Sequence, residues 1–206
     1  MNPPSLSARK YPRQERSRQT VERILDAAAH IFNVHGFTAS TTNDIADEAE
    51  VSIGSLYQYF PNKDAILVAL THRHIESSSS ELLKLLSQLE NLNNFDETIR
   101  LVVGFLVGQH ELDELHLLIM HLAPRTHEIN DELEKARNRI VVATSNVLAS
   151  KFFDNKQRVL LARMVVATID AGVHDVILRF PPGQDRQQAI ELVVLTAQSI
   201  ISQSEI

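Results

Sequence analysis

A series of polar groups between Thr42 and Lys63 has the types and spacing of a surface that meets a polyanion. Ser52, Gly54, Ser55, Gln58 and Tyr59 lie along one short segment whose N-terminal end is small and hydrogen-bonding. A helix reading the major groove sets its N-terminal residues against base edges, and small residues there allow close approach. Thr42, Tyr57 and Lys63 flank the segment, and hydroxyl and ammonium donors suit phosphate oxygens. Each has a plainer reading as well. Tyr57 and Tyr59 also fit a hydrophobic core. Leu56 and Phe60 already define the buried face, which favours phosphate for Tyr57 and leaves Tyr59 evenly divided between core and DNA edge. Asn43 is chemically suited to read adenine, although an exposed asparagine early in a helix is more often only solvated. Arg16 and Arg18 suit contact with a phosphate or a minor groove, and a solvated helix start equally well.

Other chemistries find little footing. The chain has no cysteine, which removes disulfides, thiolate metal sites and cysteine nucleophiles. The pairs His72/His74, His110/His116 and His116/His121 are two, six and five residues apart, and none of these spacings shares a helical face. His110-Glu111 lacks the second histidine of a zinc protease. There is no Gly-x-Ser-x-Gly elbow, no phosphate-binding glycine loop and no Gly-x-Gly-x-x-Gly. Asp113-Glu114 reads as solvated. The expectation is a protein without metal or cofactor and not an enzyme; a helical enzyme is a distant alternative.

Helices must position the polar series. Val21, Ile24, Leu25, Ala28, Ile31 and Phe32 recur every three or four residues and predict a helix over residues 13–35, ended by Gly36. Thr42 reads as the N-cap of a short helix reaching Ala49, with Asp44 in its first turn. Ser52 reads as the N-cap of Ile53–Phe60, Pro61 stops that helix, and Asn62 caps the next. Two short helices joined by a tight turn form a helix-turn-helix candidate. Such a pair cannot bury its own core, so the preceding helix supplies Ile24, Ala28 and Phe32. Further helices follow over 63–91, 95–109, 111–122, 127–153, 156–180 and 185–203, with Ser77–Ser80 marking a candidate bend in the first and Pro181-Pro182-Gly183 a turn before the last. The reading is all-α with nine helices. It comprises a flexible basic tail over 1–12, a DNA-binding head over 13–62, and a body over 63–206.

Composition agrees. Of 206 residues 44% are apolar and 22% charged, which suits a globular chain; six glycines and seven prolines are few for an all-β one. No apolar run approaches a membrane span and the N-terminus lacks a secretory core, so a soluble cytoplasmic protein without a membrane partner is expected. The net charge of −6 argues against a nonspecific polycation. The first 25 residues nevertheless hold six basic groups against Glu15 and Glu22, whereas residues 76–206 hold 12 basic and 18 acidic ones. A basic arm on an acidic body suits a polyanion met at one end, and a solvated arm suits the charges equally. The acidic body weighs against the alternative of a nonspecific, architectural DNA-binding protein.

Phe37-Thr38-Ala39-Ser40-Thr41-Thr42-Asn43-Asp44-Ile45-Ala46, followed by Val51-Ser52-Ile53-Gly54-Ser55-Leu56-Tyr57-Gln58-Tyr59-Phe60-Pro61-Asn62-Lys63, resembles the TetR family of bacterial transcription regulators. The resemblance covers roughly residues 14–70. It implies an all-α homodimer, a repressor whose N-terminal helices bind palindromic operator DNA, and a C-terminal domain that binds a small-molecule effector and dimerises through its last two helices. Phosphate contacts are implied at Thr42, Tyr57 and Lys63, and often at the position of Tyr59. Base contacts are implied at Asn43, Ile53, Gly54 and Ser55. Glu50 departs from the pattern, because the family usually carries glycine in that turn.

The body holds more apolar residues than single helix faces need. Phe105, Ile119, Met120, Met164 and Val165 are candidate lining for a cavity, with Gln109, His116, His121 and Thr168 as polar anchors; that mixture suits a mainly apolar small molecule. For any one of them a packed core is the plainer reading. Helix 156–180 carries two apolar stripes and the closing helix is similarly loaded, which suits a four-helix bundle with a symmetry mate. The expected interface is Val166, Ile169, Gly172, Val173, Ile177, Val193, Val194, Ala197 and Ile201. The alternative is that these stripes are buried inside one subunit by helices 127–153 and 63–91.

Overall fold

Helix α1 (Glu15–His35) buries Ile24, Leu25, Ala28, Ile31 and Phe32 along the stripe that their spacing predicts. The computed structural model describes residues 15–90, 92, 94–112, 119, 122, 126–152 and 154–203, and every regular element among them is helical. The all-α expectation therefore holds. The tail over 1–12 and most of the expected helix 111–122 lie outside the described residues. Gly36 ends α1 at φ 75°, in a left-handed conformation that costs glycine little, and its N–H donates to the Phe32 carbonyl at 3.0 Å.

Three short-range caps organise the next helices. Helix α2 (Thr42–Glu48) is capped by Thr41, one residue before the expected Thr42. The Thr41 hydroxyl accepts the Asp44 N–H at 3.2 Å while the Thr41 N–H donates to the Asp44 carboxylate at 2.8 Å, a reciprocal capping box. This frees the Thr42 hydroxyl for a longer-range partner. Ser52 caps α3 (Ile53–Tyr59) through the Ser55 N–H, as expected. Asn62 caps α4 (Lys63–Leu89) by accepting the Ala65 N–H at 2.8 Å. Helix α4 runs unbroken through Ser77–Ser80, where the Ser79 hydroxyl donates back to the Glu76 carbonyl.

The chain divides into two compact units. The first takes the chain through Ile75, with the described residues of 113–130. Its core joins Ile24, Ala28 and Phe32 of α1, Ile45 and Ala46 of α2, Leu56 and Phe60 around α3, and Ile66 and Leu70 of α4. The start of α4 is thus part of the head's core, beyond the boundary expected at residue 62.

The second unit holds α4 from Glu76, α5 (Phe95–Leu112), α6 (His127–Val147) from Asp131, α7 (Asn155–Ala171) and α8 (Gln184–Ser202). Asp154 caps α7 through the Gln157 N–H at 2.7 Å. Beyond Ala171 the helix passes into a π-helical turn, Gly172–Val176, and a 3₁₀ turn, Ile177–Arg179. Helix α8 packs against α7 and α5, and the Arg100 guanidinium on α5 bonds both carboxylate oxygens of Glu191 on α8 at 2.7 and 2.8 Å.

The expected dimer stripe is not on the surface. Ile169, Gly172, Val173, Ile177, Val193, Val194, Ala197 and Ile201 are buried in the second unit's own core, with Val166 half-buried against it. In the single chain these residues are thus enclosed by its own core. A side chain at Gly172 would put its Cβ 2.6 Å from Val193 Cγ2, so this glycine serves close packing of α7 on α8 inside the subunit. Leu160 and Met164 on α7, and Leu192 and Leu195 on α8, are exposed instead, at 59%, 47%, 58% and 56%.

Candidate nucleic-acid interface

The α2–α3 pair is held at its turn by backbone geometry. The Val51 N–H bonds the Ala46 carbonyl at 3.0 Å and the Glu50 N–H bonds the Asp47 carbonyl at 3.1 Å. This is a Schellman motif, whose left-handed position usually takes glycine. Glu50 occupies that position at φ 52°. Glutamate therefore accepts the turn without altering its geometry.

On α3, Leu56 and Tyr59 turn inward and Ile53, Gly54, Tyr57 and Gln58 outward. The inward pair follows from the helical period: Leu56 and Tyr59 are three apart, and Phe60 completes the buried patch just after the helix. Tyr59 belongs to the core, which decides its divided reading against the DNA edge. The Tyr57 hydroxyl lies 3.0 Å from that of Thr42, joining the exposed sides of α2 and α3. Asn43 is exposed beside Thr42. The Ser52 and Ser55 hydroxyls are 2.8 Å apart at the head of α3, so two candidate contacts are aligned by one cap.

Lys63 is placed otherwise than its phosphate reading requires. Its ammonium donates to the carbonyls of Phe37, Thr38 and Ser40 at 2.7, 3.1 and 3.0 Å and sits 4.6 Å from the centre of the Phe37 ring. An ammonium has three N–H donors, and all three are engaged inside the head. The acidic residue of the capping box is also settled: hydrogen bonds from the Thr41 hydroxyl and N–H hold the Asp44 carboxyl below its ordinary range. The box is legible in the sequence as threonine followed three residues later by an acid. A second tie is not: Arg73 of α4 bonds Asp26 at 2.7 Å and Glu22 at 3.1 Å, pairing residues about fifty apart in sequence.

The described candidate effector residues divide between the two units. Ile119 is buried in the core of the first unit, whereas Val165 is buried and Phe105 half-buried in that of the second. Met164 points outward. Gln109 donates to the Glu81 carboxylate at 2.8 Å and Thr168 is half-buried. His116, Met120 and His121 lie outside the described residues. No three His, Asp or Glu side chains among the described residues are grouped to hold a metal ion.

Residues 24–70 match the family model of bacterial regulatory proteins of the tetR family. The head is thus similar, over this stretch, to the N-terminal segment of tetR-family regulators. A stretch of 62 residues is 39% identical to the HTH-type transcriptional repressor KstR of Mycolicibacterium smegmatis, covering 30% of each chain. The matched stretch covers about a third of the length of the first curated relatives. A longer match of 164 residues, 28% identical, runs to the fatty acid metabolism regulator protein of Bacillus subtilis and covers 73% of this chain and 80% of that one. Among solved structures, a TetR-family regulator from Mesorhizobium loti shares the fold at a TM-score of 0.70 and 14% identity, covering 92% and 98% of the two chains. The regulator FadR of Bacillus subtilis, solved with stearoyl-CoA, does so at 0.57 and 20%, covering 84% and 97%.

Proposed function

We propose that this chain is a sequence-specific transcriptional regulator, a repressor released from palindromic operator DNA by a small molecule. The observation that carries this reading is the Thr42–Tyr57 hydroxyl pair beside the small, exposed N-terminal end of α3. In this pair one hydroxyl proton bridges the two oxygens and the other stays free to donate to a phosphate oxygen, which fixes register on the duplex, while Asn43, Ser52, Ile53, Gly54 and Ser55 face the base edges. Lys63 and Tyr59 act from inside the head. The relatives' names are those of regulators and not of enzymes.

The regulator works as a homodimer in the cytoplasm. Leu160, Met164, Ala167 and Ala171 recur at intervals of four, three and four and are all exposed, and Gln188, Leu192, Leu195 and Ser199 repeat the same intervals on α8. Two such stripes on packed neighbouring helices suit an isologous four-helix contact with a second copy. The two heads of such a dimer need a separation near 34–36 Å to enter successive major grooves. An effector that binds a differently spaced state more tightly shifts the population off DNA. No helix among the described residues is long and apolar enough to cross a membrane.

The effector is mainly apolar, and a long-chain acyl thioester is the class to test first. The support is the match to a fatty acid metabolism regulator, which continues past the head into the body. Selecting bound fragments from the source genome tests the DNA reading: enrichment of a palindrome supports it, and uniform recovery of all fragments favours the architectural alternative. Release of the selected fragment by stearoyl-CoA, but not by free coenzyme A, tests the effector class.

A further inference from the structure

We infer that Lys63 is a positioning residue, whose ammonium fixes the loop before α2 and through it the hydroxyl of Thr42, and that it makes no phosphate contact. The proposal rests on the DNA-binding reading of the head and assigns one of its cations a different task. The Lys63 side chain is half-buried and its three donors meet three carbonyls, those of Phe37, Thr38 and Ser40. The Phe37 ring covers it at 4.6 Å and is itself held edge-on by Phe32 of the core, with centroids 5.0 Å apart. The position suits a cation, because residues 37–40 follow the C-terminal end of α1, where the helix dipole is negative.

The consequence for the DNA face follows from chain order. Ser40 gives its carbonyl to Lys63, and its hydroxyl donates to the Gly36 carbonyl at 2.6 Å. Thr41, next in sequence, is the cap of α2, and Thr42, next again, pairs with Tyr57. Lys63 opens α4, directly after Asn62 has capped it. One side chain thereby ties the first residue of α4 to the loop that sets the start of α2. A lysine reaching for phosphate would have to abandon three hydrogen bonds and the ring, leaving the loop carbonyls without their donor.

Two measurements test this in the full chain. In the unmodified protein without DNA, acetic anhydride should acylate Lys63 at least about tenfold more slowly than exposed Lys84, Lys135 and Lys156, since its donors are engaged; equal rates would overturn the proposal. The Lys63→Met variant keeps most of the apolar stem of the side chain and removes the ammonium. It should speed amide exchange at Ser40–Asp44 in the free protein by about tenfold or more. It should also leave unchanged the slope of log affinity against log salt for sheared duplex DNA of mixed sequence. A slope reduced by about 0.9, with exchange in the loop unaltered, is the signature of a lost phosphate contact and refutes the assignment. If neither protein binds duplex DNA, the DNA-binding reading of the head fails, while acylation and exchange still decide whether Lys63 holds the loop.

Discussion

The hydroxyls of Thr42 and Tyr57 lie 3.0 Å apart although fifteen residues separate them, and their bond joins the outward faces of α2 and α3. Thr42 is half-buried and Tyr57 exposed, so the bond contributes little to folding. Its value lies in orienting the one hydroxyl proton that the pair leaves free to donate. Thr42→Val and Tyr57→Phe should each weaken operator binding by about 1–2 kcal/mol and shift thermal stability only slightly. The double variant should lose less than the sum, because either single change already breaks the pair. Neither should alter the salt slope, since no charge is removed. Full additivity in the cycle would mean that the two hydroxyls meet DNA independently.

The exposed stripes on α7 and α8 distinguish two kinds of charge insertion. Leu192→Asp places a carboxylate on a face that is 58% exposed in the single chain, whereas Val194→Asp buries one at a fully enclosed position. The first should give a folded monomer that has lost tight operator binding. The second should fail to fold, because an unpaired buried charge costs several kcal/mol. Sedimentation together with circular dichroism separates the outcomes. A folded dimer of Leu192→Asp would move the partner contact elsewhere.

How much of this the residues announced depends on the range of the interaction. Helices with a clear three-and-four stripe, such as α1, and caps such as Ser52, Asn62 and Gly36 rest on local chemistry and are readable directly. The choice between Thr41 and Thr42 as cap is also local, and the acid at Asp44 identifies Thr41. Lys63 is different. Its partners lie 23 to 26 residues away and are backbone carbonyls, which carry no side-chain signal. Which stripe of α8 the chain itself encloses is hidden for a related reason: Val194 and Leu195 are neighbours of similar hydropathy, and only the packing of α8 on α5 and α7 decides which one is enclosed. Apolar density shows that two faces are covered but not which is covered by the chain itself.

Gly172 gives a steric prediction inside the subunit. An added Cβ would stand 2.6 and 2.7 Å from the two methyls of Val193, closer than carbon atoms approach. Gly172→Ala should therefore destabilise the second unit by about 1–3 kcal/mol through overpacking. Val193→Ala in the same chain should recover part of that loss, although Val193→Ala alone costs stability by leaving a void. Chemical denaturation of the three variants checks this, and an unchanged midpoint for Gly172→Ala would mean that α7 and α8 separate at little cost.

Glu50 supplies a backbone prediction in the head. A side chain held at φ 52° costs about 1–2 kcal/mol relative to glycine, against about 0.5–1 kcal/mol for the extra freedom that glycine has when unfolded. Glu50→Gly should therefore stabilise the head by up to about 1 kcal/mol without moving the turn. Glu50→Val, branched at Cβ, should destabilise it by about 1–3 kcal/mol. Thermal unfolding of the two variants checks the sign, and opposite shifts are the expected result.

The π-helical turn after α7 carries a titrating pair. His174 Nδ1 lies 3.0 Å from the Asp170 carboxylate and 2.8 Å from the Asp170 carbonyl, and Arg137 of α6 bonds the other carboxylate oxygen at 2.6 Å. Burial by itself would lower the His174 pKa, but the hydrogen bond and charge of Asp170 outweigh it and raise the value above 6.5, with Asp175 adding to the rise. Burial would likewise raise Asp170, and His174 and Arg137 together hold it below 3.8 instead. The histidine's contribution to stability is complete below about pH 6.5 and is lost as pH rises through its raised value. The carboxylate's contribution is present above about pH 3.8 and is lost as pH falls through its lowered value. Between these limits the pair is fully charged and holds the turn that seats Gly172 against Val193. The melting temperature of the protein should fall as pH is raised from about 6 towards about 9, and Asp170→Asn should flatten that decline while lowering stability at about pH 6. An equal decline in the protein and in Asp170→Asn would assign the alkaline loss to groups outside this turn.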